Sequence, residues 1–223
     1  MREEKTGYKT IYILGAQSSF LIETIEICEL TGFKNIICLD NLESSSTINA
    51  GGYPVIQLSQ LKSTAFPAEF VCCVHTPLYR EKMVSQVPAF LKPCSLFHPT
   101  SVLSKRASIS NNGVLIGAQA VVGANTGISD FVLINRGALV GHDIKLGRFV
   151  TIESGVSLNG FCQIQDKSYI GAGAIVLPKI KIGKNCVVAA GAVVREDVSD
   201  HCMVAGVPAE VKKENIKGYL GSM

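Results

Sequence analysis

The hydrophobic residues of this chain follow one pattern in its first half and another in its second. Between residue 10 and about residue 96, short apolar runs alternate with amphipathic segments, in the order TIYILG, SSFLIETIEICELTG, NIICLD, EFVCCVH and PLYREKMVSQVPAF. Runs of these lengths predict strand, helix, strand, strand and helix. Because strands that alternate with helices form a sheet covered by those helices, we expect a small parallel α/β layer here.

The first predicted helix has a clear apolar face and clear end signals. Leu21 and Ile25 lie on one face. Ser18 or Ser19 stands where a side chain can cap the helix start, and Gly32 stands where a left-handed residue can end it.

The second half repeats every six residues. The repeated position is always Ile, Val or Leu, at Ile116, Val122, Ile128, Ile134, Val140, Leu146, Ile152, Leu158, Ile164, Ile170, Val176, Ile182, Val188 and Val194. A period of six is not a helix face, and a β-sandwich would show alternation with a period of two. The repeat predicts a parallel β-helix, in which each hexad is one short strand and one corner and the aliphatic residue points inward.

The repeat begins with an irregularity. Leu103 and Ile109 continue the period one residue out of phase, which predicts a one-residue insertion near Asn111, Asn112 and Gly113 in a ragged first coil. We therefore expect residues 1–96 to form the α/β domain, residues 97–214 the β-helix and residues 215–223 a C-terminal tail.

Composition excludes several classes of function. A net charge of +3 without a basic stripe argues against nucleic acid, and no apolar run is long enough to span a membrane or act as a secretory signal. The eight cysteines lie in apolar runs without CxxC pairs, so we expect buried thiols. Four histidines leave little material for a metal site. We expect a cytoplasmic protein without a metal.

One histidine, His142, lies inside the repeat, two residues after the inward Val140, so its ring is expected to point outward from a corner. Imidazole has the right pKa to act as a general base near neutral pH. Asp143 can accept a hydrogen bond from one ring nitrogen and fix the tautomer. Judged by these residues alone, a solvated His–Asp pair is the more common explanation.

Four segments, FHPTSVLS, LINRGALVGHDIKLGRFVTI, SYIGAGAIVLPKIKIG and VAGVPAEV, together with the preceding α/β pattern, resemble a known family. This is the left-handed β-helix family of sialic acid O-acetyltransferases and bacillosamine-type UDP-4-amino-sugar N-acetyltransferases. The resemblance implies a homotrimer, acetyl-CoA bound between adjacent β-helices and a nucleotide sugar held by the N-terminal domain. It also favours His142 as the base with Asp143 as its partner, and Asn135, which replaces a corner glycine, as part of the acceptor pocket.

The resemblance also suggests where acetyl-CoA binds. Small residues along the coil would let the pantetheine arm run close to the backbone, a C-terminal loop would flank the adenine, and a lysine would pair with phosphate. The small residues are Thr151, Gly160, Ala172 and Ala190, the loop residues are Gly206 and Pro208, and the lysine is Lys184. Thr151 departs from relatives that carry a second histidine at this position. For the alanines and Gly160, tight coil packing is an equally good explanation.

The N-terminal domain departs further from the family. Its first turn lacks the usual glycines and histidine, and the candidate nucleotide-sugar residues are Gly15, Gln17, Ser18, Ser19, Asp40 and Asn41. Backbone N–H groups of this turn can still bind a phosphate. The absence of a G-x-G-x-x-G fingerprint argues against NAD.

The leading hypothesis is transfer of an acetyl group from acetyl-CoA to the amino group of a nucleotide-linked deoxyamino sugar. O-acetylation of a sugar hydroxyl, as in the sialic acid enzymes, is the alternative, because one base serves both reactions. A non-catalytic β-helix binding protein is a third possibility. A β-helical carbonic anhydrase is excluded because it needs three histidines in the repeat.

Overall fold

The computed structural model describes residues 9–41, 49–61 and 68–220. The first eight residues of the expected N-terminal domain and the last three of the expected tail lie outside the described residues. The strands and helices of the N-terminal part are β1 Thr10–Leu14, α1 Leu21–Leu30, β2 Asn35–Asp40, β3 Asn49–Ala50, β4 Tyr53–Gln57, a 3-10 helix Leu58–Gln60, β5 Ala68–Cys72, α2 Pro77–Ser85 and β6 Leu91–Pro93.

These strands form one sheet in the order β3-β4-β2-β1-β5-β6. All neighbours pair in parallel except β3, which forms an antiparallel pair with β4. The predicted strand–helix–strand–strand–helix order is present, but the sequence analysis missed β3, β4 and β6. β4 was missed because Pro54 and the polar Gln57 interrupt its apolar run.

The capping prediction for α1 was half right. Gly32 follows the helix with φ +94°, as expected for a left-handed stop. The N-cap is Phe20, and no side chain bonds to the first turn. The Ser18 hydroxyl instead donates to the Cys73 carbonyl (2.8 Å) and accepts from the Phe20 N–H (3.2 Å), so it fixes the turn to the next strand and does not cap the helix.

The hexads form a left-handed parallel β-helix of three faces. Face 1 contains β7 Leu96–Phe97, β10 Leu115–Ile116, β13 Leu133–Ile134, β16 Thr151–Ile152, β19 Tyr169–Ile170, β22 Val187–Val188, β24 Met203–Ala205 and the antiparallel β25 Glu210–Lys213. Face 2 contains β8 Val102–Leu103, β11 Val121–Val122, β14 Leu139–Val140, β17 Ser157–Leu158, β20 Ile175–Val176 and β23 Val193–Val194. Face 3 contains β9 Ser108–Ile109, β12 Gly127–Ile128, β15 Lys145–Leu146, β18 Gln163–Ile164 and β21 Lys181–Ile182.

Three consecutive hexads make one coil, and corresponding residues stack: Ile116 pairs with Ile134, and Ile134 with Ile152. All fourteen predicted inward residues are at most 4% exposed. The predicted insertion is also present, since Ile109 still pairs with Ile128 although the chain needs one more residue to reach Ile116. We refer to the corners by the faces that they join along the chain: corner 1–2, corner 2–3 and corner 3–1.

The N-terminal sheet packs on face 1 and corner 3–1. Leu96, Leu115 and Leu133 share a core with β1 and β2. At corner 3–1, the rings of Phe131 and Phe149 stack with centroids 5.0 Å apart and join the other face of the sheet. The two parts of the chain are therefore joined by a continuous apolar interface.

The eight cysteines are free, as predicted, and all but Cys94 are fully buried. Burial raises the pKa of Cys38 and of Cys72 to about 11, so neither thiol is available as a nucleophile near neutral pH. No helix within the described ranges is long and apolar enough to cross a membrane.

Candidate active site

His142 lies on corner 2–3, as the repeat predicts, and its side chain is 59% exposed. Its Nδ1 is 2.8 Å from Oδ2 of Asp143, and the other oxygen of Asp143 accepts from Asn125 Nδ2 at 3.3 Å. The hydrogen bond from His142 holds the pKa of the Asp143 carboxyl below its usual value. A carboxylate at Nδ1 favours the tautomer that carries its proton there and leaves Nε2 free to accept one.

The neighbouring coil fixes the position of the imidazole ring. A Cβ built on Gly160 would lie 2.7 Å from both Cε1 and Nε2 of His142, so any larger residue at this position would displace the ring. Phe161 packs edge-on against the ring, with centroids 5.2 Å apart and planes at 89°. Gly160, which was predicted to contact the cofactor, therefore makes room for the ring of His142.

A second cluster of polar groups lies on corner 1–2, beside the N-terminal sheet. It surrounds a cavity of about 450 Å³ lined by Ser19, Phe20, Glu23, His75, Asn135, Arg136, Glu153, Ser154, Tyr169 and Tyr219. Asn135 donates from Nδ2 to Glu153 Oε2 (2.8 Å) and accepts from the Arg136 N–H (2.7 Å). The rings of Tyr169 and Tyr219 stack, with centroids 3.7 Å apart. The predicted acceptor residue Asn135 and the predicted turn residue Ser19 thus share one cavity.

His75 lines the same cavity and was expected to be structural. Burial lowers the pKa of His75 more than the nearby charge of Glu153 raises it, and the charge of Arg80 lowers it further, so the ring is neutral near pH 7. Its Nδ1 is buried and has no hydrogen-bond partner within the described part of the chain.

Arg80, on α2, connects the N-terminal part of the chain to the β-helix. Its side chain is 1% exposed, and its three nitrogens donate to carbonyls of Phe131 (2.9 Å), Val74 (2.7 Å), His75 (3.2 Å), Phe149 (2.8 Å) and Val150 (3.1 Å) and to the hydroxyl of Thr151 (2.9 Å).

Thr151 is fully buried in this contact, and its hydroxyl also donates to the carbonyl of His75 at 2.6 Å. Both the hydroxyl proton and a lone pair are therefore used within the protein. This placement argues against the predicted contact between Thr151 and the cofactor, because no side-chain atom of the residue is exposed.

The predicted nucleotide-sugar residues surround the carboxyl ends of β1 and β2. Gln17 donates to Asp40, which is 2% exposed, at 3.1 Å, and Asn41 donates to Gln86 at 3.3 Å. Four N–H groups of the first turn are used within the protein: those of Gly15 and Ala16 bond to the Leu39 carbonyl, that of Ser18 to the Gly15 carbonyl and that of Phe20 to the Ser18 hydroxyl. Few turn donors therefore remain for a phosphate.

The predicted cofactor residues fall on different corners. Ala172 and Ala190 follow β19 and β22 and lie on corner 1–2, above Asn135, where both are exposed. The exposed loop of Gly206 and Pro208 lies beside them, since the Gly206 carbonyl accepts from the Val193 N–H at 3.0 Å. Lys184 lies on corner 3–1, away from both groups. A ligand running along corner 1–2 would not reach this lysine in the same chain.

Within a single chain these two groups of polar residues lie apart. The His142–Asp143 pair lies on corner 2–3, and the cavity with Asn135 lies on corner 1–2, with face 2 between them. Glu153, Tyr169 and Tyr219 were not predicted from the sequence. The coil period could have indicated Glu153, because it lies one coil above Asn135. Within the residues the structure describes, no group of three His, Cys, Asp or Glu side chains could hold a metal ion.

Residues 161–196 match the family model for the bacterial transferase hexapeptide, six repeats. Among curated proteins, the chain is 34% identical over 86 residues to GDP-perosamine N-acetyltransferase of Escherichia coli O157:H7, covering 39% of this chain and 38% of that protein. It is 35% identical over 117 residues to serine acetyltransferase of Mycobacterium tuberculosis, covering 49% and 51%. The chain thus spans about two fifths to one half of the length of these relatives.

Two solved structures match almost the whole chain. PerB from Caulobacter crescentus, in complex with CoA and GDP-perosamine, is 25% identical with a TM-score of 0.83, covering 92% of this chain and 97% of that one. The acetyltransferase domain of PglB from Neisseria gonorrhoeae, in complex with acetyl coenzyme A, is 29% identical with a TM-score of 0.82, covering 92% and 100%. The resemblance to hexapeptide-repeat sugar acetyltransferases that the sequence predicts is confirmed by these matches.

Proposed function

We propose that this protein transfers the acetyl group of acetyl-CoA to the amino group of a nucleotide-linked deoxyamino sugar. The observation that carries the proposal is the oriented His142–Asp143 pair on a corner of a coil whose full-length structural match, PerB, is described with CoA and GDP-perosamine. We further propose that residues 1–96 form a Rossmann-like domain that holds the nucleotide, that residues 97–214 form the acetyltransferase domain and that the reaction takes place in the cytoplasm.

In this proposal the neutral amine nitrogen attacks the thioester carbon as Nε2 of His142 takes one of its protons. The carbon–sulfur bond then breaks, and the imidazolium returns the proton to the departing CoA sulfur. The products are an amide and free CoA thiol. The carboxylate of Asp143 holds the ring in the required tautomer and stabilises the imidazolium that forms between these steps.

The proposal includes a homotrimer, because each chain carries the two halves of the site on opposite edges of face 2. The outward positions of that face are apolar except for Ser157, and this apolar stripe includes Val102, Leu139 and Ile175, exposed to 63%, 50% and 39%. The corresponding positions of face 3 are Ser108, Gly127, Lys145, Gln163 and Lys181. An exposed apolar stripe of this kind is typical of an interaction surface.

A cyclic arrangement in which the apolar stripes face a common axis would place corner 2–3 of one chain against corner 1–2 of the next. His142 of one protomer would then meet the cavity with Asn135 of its neighbour. The groove between them would contain Ala172, Ala190, Gly206 and Pro208, the residues proposed to contact acetyl-CoA.

The backbone of corner 1–2 supports a close approach of another molecule. The third residue after each inward position from Ile116 to Val188 has positive φ, and corners 2–3 and 3–1 place side chains there, including Asp143, Phe149 and Lys167. Corner 1–2 instead has glycine in four successive coils, and no atom lies within 4 Å of a Cβ built on Gly137, Gly155, Gly173 or Gly191. Positive φ favours glycine at these positions, but the other corners carry side chains in the same conformation, and the open space beside the four glycines leaves room for a molecule outside the chain.

The test is release of CoA thiol from acetyl-CoA over a panel of UDP- and GDP-linked amino sugars and free sialic acids. We expect turnover on an amino sugar, reduced about 10²- to 10⁴-fold in His142→Ala. His98→Ala is the matched control, since His98 does not line the cavity with Asn135 and its Nδ1 bonds to Thr100 within the described part of the chain. Turnover on sialic acid alone would favour O-acetylation. Unchanged turnover in His142→Ala would contradict the assignment of the base.

A second experiment tests the shared site. His142→Ala and Asn135→Ala variants are mixed under conditions that exchange subunits. If each site combines residues of two chains, random exchange restores roughly one quarter of the wild-type sites. If the mixture is no more active than its components, the site lies within one chain.

A further inference from the structure

Glu153 lies in the corner 1–2 cavity, and nothing in the family resemblance gave it a role. Its Oε2 accepts from Asn135 Nδ2 at 2.8 Å, and burial together with the charge of Glu153 raises the pKa of the Tyr169 phenol, which lies nearby. Asn135 is in turn fixed by the backbone of Arg136. The carboxylate is therefore held in one orientation at the wall of the cavity.

Among the described residues no cation is in contact with this carboxylate, and Arg80 interacts with it only at longer range. No Lys or Arg of the described residues lies within 4.0 Å of Glu153. Arg136, which lines the same cavity, pairs with Glu23 of α1, and Arg80 is bonded to carbonyls and Thr151. A half-buried carboxylate that has a hydrogen-bond donor but no cation in contact is an incomplete ion pair, and a cationic ligand would complete it.

The other walls also suit a cation. The stacked pair of Tyr169 and Tyr219 brings aromatic surface to the cavity next to the carboxylate. Aromatic rings attract ammonium groups, and His75 in the same wall is neutral and adds no positive charge. Tyr219 belongs to the C-terminal segment, which is anchored by two hydrogen bonds between His201 and Ile216.

We propose that Glu153 binds the ammonium group of the acceptor and selects an amine over a hydroxyl at the position that is acetylated. This inference rests on the proposed function and names the residue that separates N- from O-acetylation. The acceptor enters as the ammonium ion, held by Glu153 between Asn135 and Tyr169. It loses one proton to water before the neutral nitrogen attacks the thioester, and His142 of the neighbouring protomer takes the second.

The test compares wild type with Glu153→Gln on two substrates: the nucleotide-linked amino sugar found active in the panel, and the same compound with a hydroxyl in place of the amine. Gln keeps the size of the side chain and an oxygen for Asn135 but removes the charge. We expect KM for the amino sugar to rise about 10- to 100-fold, as for the loss of a charged hydrogen bond. We expect KM for acetyl-CoA and binding of the hydroxyl compound, measured by calorimetry, to stay unchanged.

Glu196→Gln is the matched control, because the Glu196 side chain is 82% exposed and lies outside the cavity. Circular dichroism and light scattering check that each variant keeps its fold and assembly. An unchanged KM for the amino sugar would overturn the inference, and so would an equal loss of binding for both compounds, which would assign Glu153 to a sugar hydroxyl. If the wild type acetylates no amino sugar, the proposed function fails instead.

Discussion

Replacing Arg80 with Met tests how the N-terminal sheet is fixed to the β-helix. The guanidinium is buried among neutral acceptors, and no carboxylate of the described residues lies within 4.0 Å of it, although the charge of Glu153 acts on it at longer range. Its burial lowers the pKa to about 10, so it remains charged at neutral pH. Met fills a similar volume without any donor.

The expected loss follows from the acceptors that remain. Arg80 donates to the carbonyls of Phe131 and Phe149 at 2.9 and 2.8 Å, and both carbonyls stay buried beneath α2 when the donor is removed. An unsatisfied buried acceptor costs about 1–3 kcal/mol. Because two such carbonyls are left, we expect Arg80→Met to lower the free energy of unfolding by about 2–6 kcal/mol.

Urea unfolding at fixed protein concentration measures this change, because subunit association would otherwise alter the apparent stability. Arg195→Met is the control: the Arg195 side chain is 59% exposed, and its loss should cost less than about 0.5 kcal/mol. A loss below about 1 kcal/mol for Arg80→Met would refute the reasoning, because it would mean that the desolvation of the guanidinium already cancels its hydrogen bonds.

Two further predictions concern assembly and cofactor binding. Leu139→Glu places a charge in the apolar stripe of face 2. Light scattering should then show monomers, and turnover should be lost although His142 is intact. An active trimer would contradict the proposed interface. Gly173→Phe should weaken acetyl-CoA binding at least about 10-fold by calorimetry while the fold is kept, because Phe149 and Phe161 already occupy the same left-handed position at other corners. Unchanged affinity would place the cofactor away from corner 1–2.

Much of the β-helix could be predicted because its signal is local. Each hexad carries its own inward residue, so Val140 alone indicates that the ring of His142, two positions later, points outward. The same six-residue spacing predicted the one-residue insertion before Ile116. The N-terminal sheet was harder to predict, because β4 has a proline and polar residues and is held in place by pairing with β2.

The sequence by itself determined the solenoid, its inward residues and the exposed His142–Asp143 pair, since these depend on spacing along one chain. Only the tertiary structure decided which groups meet across the corners. It placed Arg80 of α2 against Thr151, and it brought Tyr219 of the C-terminal segment onto Tyr169. These contacts join residues that are distant in sequence, and they depend on how a separate sheet packs on one face of the coil, which no repeat within the hexads encodes.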